Sequence, residues 1–234
     1  MAVTVRRAGE RGGGDFGWLK TRHTFSFGEY QDPEHLRYRT LRVINEDVVA
    51  PGQGFEPHSH RDMEIVTYLL EGTLAHEDSL GSFTTMSPEE VQLMSAGSGI
   101  EHGEFNAASH KPLHLLQIWI LPARRGLSPR YEQREFPFAE RRNRLRLIVS
   151  PDGREGALTI GQDASIYCAQ LEAGVEVRHE LAPGRGSWVQ VARGAVTVNG
   201  TSLTTGDGCA LEGEPAVVIA AAGGPAEVLL FDLA

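Results

Sequence analysis

Short β-rich runs of apolar residues recur along the chain, and turn signals separate them. The clearest runs lie at residues 41–44, 64–70, 113–121, 145–149 and 187–191. The turn signals include Pro51-Gly52, Glu71-Gly72, Leu80-Gly81, Pro151-Asp152-Gly153, Pro183-Gly184, Asn199-Gly200 and Asp207-Gly208. Long helical periodicity is nearly absent. Many short strands at this spacing predict an all-β protein that folds as a sandwich or a barrel.

A weak internal repeat divides the chain into two similar halves. Residues 64–74 form a predicted strand, turn and strand, and residues 187–196 repeat this pattern around Arg193-Gly194. Such self-similarity predicts two β-barrels in tandem. The predicted boundaries are 1–122 for an N-terminal metal-binding barrel, 123–146 for an arginine-rich connector with a turn or short helix, and 147–234 for a C-terminal barrel without a metal site.

Composition and charge narrow the class of protein further. The chain has 234 residues, of which 41% are apolar, so a packed core and a globular protein are expected. A net charge of −9 argues against a nucleic-acid surface. Because no apolar run is long enough for a bilayer and the N-terminus lacks a signal peptide's apolar block, a cytoplasmic protein is expected. Cys168 and Cys209 are expected to be buried thiols.

Two pairs of ligand-type residues, each with a spacing of two, carry the candidate chemistry. They are His58-Ser59-His60 and His102-Gly103-Glu104. On a β-strand, side chains at i and i+2 point to the same face, so each pair would present both its members to one side. Three imidazoles and one carboxylate suit a divalent first-row metal, whereas a closed structural zinc site normally uses cysteines. The alternative is that these are surface histidines brought together by chance.

The remaining histidines are weaker candidates. His76 lies in a predicted hairpin arm and is expected to be exposed, and His110 lies in a polar loop. His114 shares an alternation face with apolar residues, which is typical of a core histidine with a polar partner. The second half has His179 but no pair of the HxH type, so the C-terminal barrel is expected to support the first without binding metal.

The chain resembles the pirin family, in particular bacterial members that include quercetin 2,3-dioxygenases. The segments that carry the resemblance are residues 17–27, 41–47, 57–68, 71–72, 78–81, 96–104 and 116–119. The resemblance implies a bicupin, in which two tandem jelly-roll β-barrels pack against each other. It also implies one metal ion in the N-terminal barrel, usually Fe(II), with Mn, Co, Ni, Cu or Zn as alternatives. The family ligands fall on His58, His60, His102 and Glu104.

Some members of this family cleave the flavonol quercetin with O2, and others act as transcriptional co-regulators. The leading hypothesis is therefore a metal-dependent dioxygenase that takes a small aromatic substrate and O2, with Glu104 as both metal ligand and base. A non-enzymatic, redox-sensing regulatory protein that binds metal and has a protein partner is the alternative. A zinc hydrolase or isomerase that needs no oxygen is a third. Direct contact with nucleic acid or a membrane is not expected.

Several side chains are candidates for the surroundings of the metal. Those that could form an apolar wall for the substrate, although each is more often plain core, are Phe25, Phe27, Met63, Phe105 and Trp119. Those that could orient a ligand are Glu64, Glu101 and Gln117. His23 could face the pocket.

Overall fold

The computed structural model describes residues 2–234, and strands make up most of them, which confirms the all-β prediction. One short α-helix, α1 (Phe138–Arg141), and the 3₁₀ turns Ala8–Glu10 and Arg154–Gly156 are the helical elements of these residues. The chain divides into two compact units. The first consists of residues 12–135 with 158–162, and the second of residues 2–11, 136–157 and 163–234. No helix in the described part of the chain is long and apolar enough to cross a bilayer.

The strands are short and follow one another closely. In chain order they are β1 (Ala2–Arg6), β2 (Gly12–Asp15), β3 (Leu19–His23), β4 (Leu41–Val49), β5 (Gly54–His60), β6 (Glu64–Glu71), β7 (Leu74–Asp78), β8 (Phe83–Met86), β9 (Glu90–Ser95), β10 (Ile100–Asn106) and β11 (Leu113–Ile120). They continue as β12 (Arg130–Glu135), β13 (Arg146–Ser150), β14 (Leu158–Thr159), β15 (Ala164–Leu171), β16 (Glu176–Glu180), β17 (Gly186–Arg193), β18 (Ala195–Val198), β19 (Thr201–Thr204), β20 (Gly208–Glu212), β21 (Ala216–Ala221) and β22 (Ala226–Leu233).

The first unit contains two antiparallel sheets. The larger has the order β12-β9-β6-β11-β4-β3-β2, and the smaller has the order β5-β10-β7-β8. The centre of the larger sheet is apolar, because Ile118 of β11 lies opposite Ile44 of β4 on one side and Val66 of β6 on the other. A buried cluster fills one part of this unit: Leu19, Val49, Leu69, Leu74, Met86, Leu113 and Leu115. Strands with alternating inward apolar residues are what two facing sheets require.

The second unit repeats this plan with the orders β1-β20-β17-β22-β15-β13 and β16-β21-β18-β19. Its core is a large aliphatic cluster that includes Val189, Leu211, Val228 and Leu230, each 0% exposed. Cys168 and Cys209 are free and buried, as expected from the sequence. Two similar double-sheet units therefore account for the internal repeat.

The boundaries of the two compact units differ from the predicted boundaries at both ends of the N-terminal barrel. β1 pairs with β20, with Val5 opposite Cys209, so residues 2–11 belong to the second unit. The predicted connector contains β12, which pairs along its whole length with β9 of the first unit. The physical reason is that hydrophobic alternation marks a strand but does not identify its partner, which is set by where a sheet edge is open.

One glycine is required where the chain enters β10. Gly97 has a φ of +48°, and a Cβ atom there would lie 2.1 Å from the carbonyl oxygen of Leu127. Any other residue would therefore have to displace backbone as well as adopt a left-handed conformation. This close approach fixes the path of the chain into the strand that carries His102 and Glu104.

We expect Leu69→Ala to lower the free energy of unfolding by about 2–5 kcal/mol, because it opens a cavity in the buried cluster of the first unit. Leu80→Ala is the matched control, since the Leu80 side chain is 50% exposed and its loss should change stability by less than about 0.5 kcal/mol. Urea denaturation measures both. Equal effects of the two substitutions would contradict this assignment of the core.

Candidate metal centre

Two neighbouring strands carry the predicted ligand pairs. β5 and β10 are antiparallel, with His58 directly opposite His102 and His60 opposite Ile100. β5 is an edge strand, the position in a sheet that tolerates a proline such as Pro57. The register shifts between His102 and Glu104, so β5 bulges locally at the residues that precede His58.

The three histidines converge on one point. Their ring centroids are 4.7 Å apart for His58 and His60, 4.6 Å for His58 and His102, and 5.0 Å for His60 and His102. One ring nitrogen from each lies within 4.8 Å of the others. His102 is 3% exposed, and neither of its ring nitrogens has a hydrogen-bond partner within residues 2–234. Buried imidazole nitrogens without partners fit a divalent metal ion, which would satisfy them.

The protonation of these histidines also suits a metal. Burial, followed by the charge of His58, lowers the pKa of His60 to about 4. Burial, followed by the charges of His58 and His60, lowers the pKa of His102 to about 3. His58 Nδ1 donates a hydrogen bond to the carbonyl oxygen of Glu56 at 2.8 Å, which leaves Nε2 as the acceptor. At neutral pH the rings of His60 and His102 are therefore uncharged and offer lone pairs to a cation.

Glu104 is fully buried beside this cluster and is held at both carboxylate oxygens. Gln117 donates to Oε2 at 2.7 Å, and Gln92 donates to Oε1 at 2.5 Å. The Thr67 hydroxyl donates to Oε1 at 3.2 Å. Burial is the largest influence on Glu104 and raises the pKa of its carboxyl group, while His76 and these donors oppose it. Gln117, one of the candidate orienting residues, thus contacts the predicted fourth ligand.

The structure places Glu104 in a second group, with His76 and His102, whose ligand atoms also lie within 4.8 Å of one another. His102 is common to both groups. The predicted ligands therefore lie together in the first unit. That all four bind one ion stays a prediction.

The expectation that His76 is exposed is wrong. The residue is 1% exposed, because β7 lies between β10 and β8 and its inner face is covered. His76 Nε2 donates to Asp78 Oδ2 at 2.9 Å, and the ring stacks on Tyr131 at 4.4 Å. His76-Glu77-Asp78 has the same spacing of two as the other pairs, which is the signal that sequence reasoning missed.

A cavity of about 670 Å³ lies beside the histidines. Its lining includes the four predicted ligands together with Leu19, Thr21, His23, Phe27, Asn45, Asp47, Phe55, Ile65, Gln117 and Trp119. Phe27 and Trp119 contact each other edge to face at 5.4 Å, and Trp119 contacts His60 in the same way at 4.9 Å. The cavity is therefore walled by aromatic and aliphatic side chains, with the polar groups concentrated at a few points.

Other sequence candidates have structural roles. Phe25 is core at 2% exposure, and Met63 packs on the buried cluster of Ile65 and Met94. Phe105 is absent from the cavity lining. Glu64 accepts a hydrogen bond from Ser95, Glu101 is exposed, and His114 pairs with Glu46 at 3.0 Å. His23 does line the cavity, with Nδ1 donating to Asn45 Oδ1 at 2.8 Å.

Two facing-sheet barrels in tandem, with histidines and a glutamate inside the first, define a bicupin. Residues 4–120 match the family model for pirin, and residues 147–233 match the model for the quercetinase C-terminal cupin domain. The chain belongs to the pirin family, as its sequence motifs indicate.

Similarity to characterised and solved proteins extends over the whole chain. A protein of Escherichia coli strain K12 named quercetin 2,3-dioxygenase is 47% identical, with 99% of this chain and 98% of that protein covered. The crystal structure of YhhW from Escherichia coli matches with a TM-score of 0.95 at 46% identity, over 100% of this chain and 98% of YhhW. The structure of the bacterial pirin YhhW in complex with nickel(II) matches with a TM-score of 0.94 at 46% identity, over 99% of each chain.

The lowered pKa values of His60 and His102 predict that the metal-free protein loses stability as the pH falls from about 6.5 towards 4. In this window the unfolded chain binds protons at these rings and the folded chain does not, so stability rises with pH by up to about 1.4 kcal/mol per unit for each ring. His102→Gln should flatten the slope measured by urea denaturation, whereas His110→Gln, at an exposed loop position, should not. The same slope in both variants would contradict the prediction.

Proposed function

We propose that this protein is a metal-dependent dioxygenase that cleaves a flavonol such as quercetin with O2. The observation that carries the proposal is the convergence of His58, His60 and His102 next to the buried carboxylate of Glu104, at the wall of an apolar cavity. Full-length similarity to a protein named quercetin 2,3-dioxygenase supports the reaction class.

The metal would be held by His58, His60 and His102, with Glu104 as the fourth ligand. Their donor set of imidazole nitrogens and a carboxylate oxygen suits Fe(II), our first choice, and also Mn, Co, Ni, Cu or Zn. The nickel(II) complex of the similar protein YhhW supports a divalent ion as the cofactor. When bound, the ion supplies a Lewis acid that favours the deprotonated form of a substrate hydroxyl.

Glu104 is the base in this proposal. Oε2 accepts a hydrogen bond from Gln117 and keeps a lone pair, whereas Oε1 receives both Gln92 and Thr67. Oε2 therefore carries the one free lone pair of this carboxylate, and it would take the proton of the flavonol 3-hydroxyl when it is not bound to the ion. Burial raises the pKa of this carboxyl group and so favours its action as a base, whereas the charge of a bound ion would oppose this rise.

The cavity walls orient the substrate. Phe27 and Trp119 present ring edges and faces to a flat aromatic system, and Ile65 and Phe55 add apolar surface. Such walls exclude water from the reacting ring and keep it next to Glu104. The partners of the protein in this proposal are thus a small planar aromatic substrate and O2.

We expect iron-loaded protein to remove the visible absorbance of quercetin only when oxygen is present. His58→Ala should abolish this loss, because it removes one of the three converging imidazoles, and it should also lower the bound iron measured by elemental analysis. His110→Ala is the control, since His110 lies in an exposed loop away from the cavity. Bound iron without turnover of any flavonol would instead favour a regulatory protein, and turnover without oxygen would favour a hydrolase or isomerase.

Glu104→Gln keeps the size of the side chain and removes the base, so we expect at least a 100-fold loss of kcat for quercetin. The substitution also removes a carboxylate ligand, and metal content therefore has to be measured in the same samples. The neighbouring variant Gln117→Glu leaves Glu104 in place but opposes it with a like charge. It should weaken turnover by a smaller factor than Glu104→Gln, and the reverse order would contradict the assignment of Glu104 as base.

A further inference from the structure

A second buried carboxyl group, outside the metal centre, lines the cavity. Asp47 lies on β4, where the alternation that buries Asn45 and Val49 also turns Asp47 to the inside of the barrel. Its side chain belongs to the cavity lining, and the residue is 4% exposed. Asp47 takes part neither in the proposed metal binding nor in the proposed proton transfer.

Asp47 is only partly satisfied by the protein. Its carboxyl group interacts with the hydroxyl of Thr21, the residue opposite it on β3. Its Oδ1 atom is buried and has no hydrogen-bond partner within residues 2–234. On the other side, its register partner is Leu115, a fully buried apolar residue. A buried polar atom left in this state destabilises a fold, so an aliphatic residue would serve the core better.

Asp47 and the histidines line the same cavity at different positions along β11. Three residues of β11 face the inside of the barrel at intervals of two. Trp119 packs on His60, and Gln117 donates a hydrogen bond to Glu104. Leu115 lies opposite Asp47 in the register. Four residues of a strand span about 13 Å. A ligand anchored at the histidines thus has to extend along β11 to meet Asp47.

The ionisation of Asp47 agrees with a group held ready for a ligand. Burial, with the charges of Glu104 and Glu46, raises the pKa of Asp47 to about 7, while Thr21 and His114 oppose this rise. Its carboxyl group is therefore less hydrated than the carboxyl group of a surface aspartate. Near neutral pH it is present in both the protonated and the ionised form.

We propose that the carboxyl group of Asp47 binds a hydroxyl group on the outer ring of the aromatic ligand and so selects hydroxylated rings. For the identity of the ligand as a flavonol, this inference rests on the proposed function. The recognition chemistry itself needs only a phenolic hydroxyl, which donates to a carboxyl oxygen inside an apolar cavity. A hydroxyl-free ring would leave the buried carboxyl group without this hydrogen bond and would bind more weakly.

The test compares ligand pairs that differ in outer hydroxyl groups. Quenching of tryptophan fluorescence under argon gives the dissociation constants of metal-loaded protein for quercetin and for 3-hydroxyflavone, which keeps only the 3-hydroxyl. The second pair is 2-naphthol and naphthalene, which requires no flavonol binding. We expect wild-type protein to prefer the hydroxylated member of each pair by about tenfold. Asp47→Ala should reduce both preferences to about one.

Two further variants keep the experiment decisive. Glu71→Ala removes the same charge from an exposed residue that does not line the cavity, and should leave both preferences unchanged. Asp47→Asn keeps the shape and a neutral acceptor, and should give an intermediate preference if Asp47→Ala fails to fold. Thermal unfolding of each variant checks the fold, and Asp47→Asn should be at least as stable as wild-type protein.

The outcomes separate this inference from the proposed function. If quercetin is not cleaved but the naphthol preference exists and depends on Asp47, the inference stands and the dioxygenase proposal falls. If quercetin is cleaved but both preferences survive in Asp47→Ala and Asp47→Asn, the inference is overturned and the dioxygenase proposal stands. Absence of any preference in wild-type protein would also overturn it.

Discussion

The site depends on one arrangement, in which side-chain amides of the larger sheet hold the carboxylate of Glu104 at both oxygens. Gln117 and Gln92 come from β11 and β9, and the Thr67 hydroxyl of the intervening β6 accepts a hydrogen bond from Gln92 at 3.0 Å and lies 3.3 Å from Gln117 Oε1. These residues lie directly opposite one another in the register. A slip of one residue in any of the three strands would turn its polar side chain out of the barrel and leave Glu104 buried without that partner. The apolar pairs around them, such as Ile118 with Val66, are what fix that register.

The interior of the first unit is therefore built from two kinds of surface. Around Leu69, Leu74 and Met86 it is aliphatic, and the burial of these side chains stabilises the fold. Towards the cavity the sheets present imidazoles, amides and carboxyl groups, and some of their polar atoms have no hydrogen-bond partner within residues 2–234, as at His102 and Asp47. Burial of the aliphatic surface stabilises the fold. The unpaired polar atoms of the cavity surface lower this stability, but they remain available to a metal or a ligand.

Alternation along single strands was enough to predict much of the site. It placed His58 and His60 on one side of β5, facing His102, while the recurrence of short apolar runs between turns predicted the all-β class. Gln92 and Asp47 were missed because a lone polar residue in an apolar run has no signature until its neighbours across the sheet are known. His76 was missed because exposure depends on β7 lying between β10 and β8, which is a property of strand order. For the same reason the sequence could not show that β1 pairs with β20.

The distribution of polar groups within the cavity explains how one barrel could distinguish among flat apolar molecules. Walls such as Phe27 and Ile65 attract any planar hydrocarbon and select little, since apolar contact is non-directional. Selection comes from fixed polar groups whose separation a ligand must match. The strands supply that separation, because Trp119, Gln117 and Leu115 succeed one another at a constant rise along β11, and each places its polar neighbour, His60, Glu104 or Asp47, at a set position. If Asp47 binds the ligand as proposed, the rigid strand β11 would set the length of the ligands that reach both Asp47 and the histidines, more accurately than a loop could.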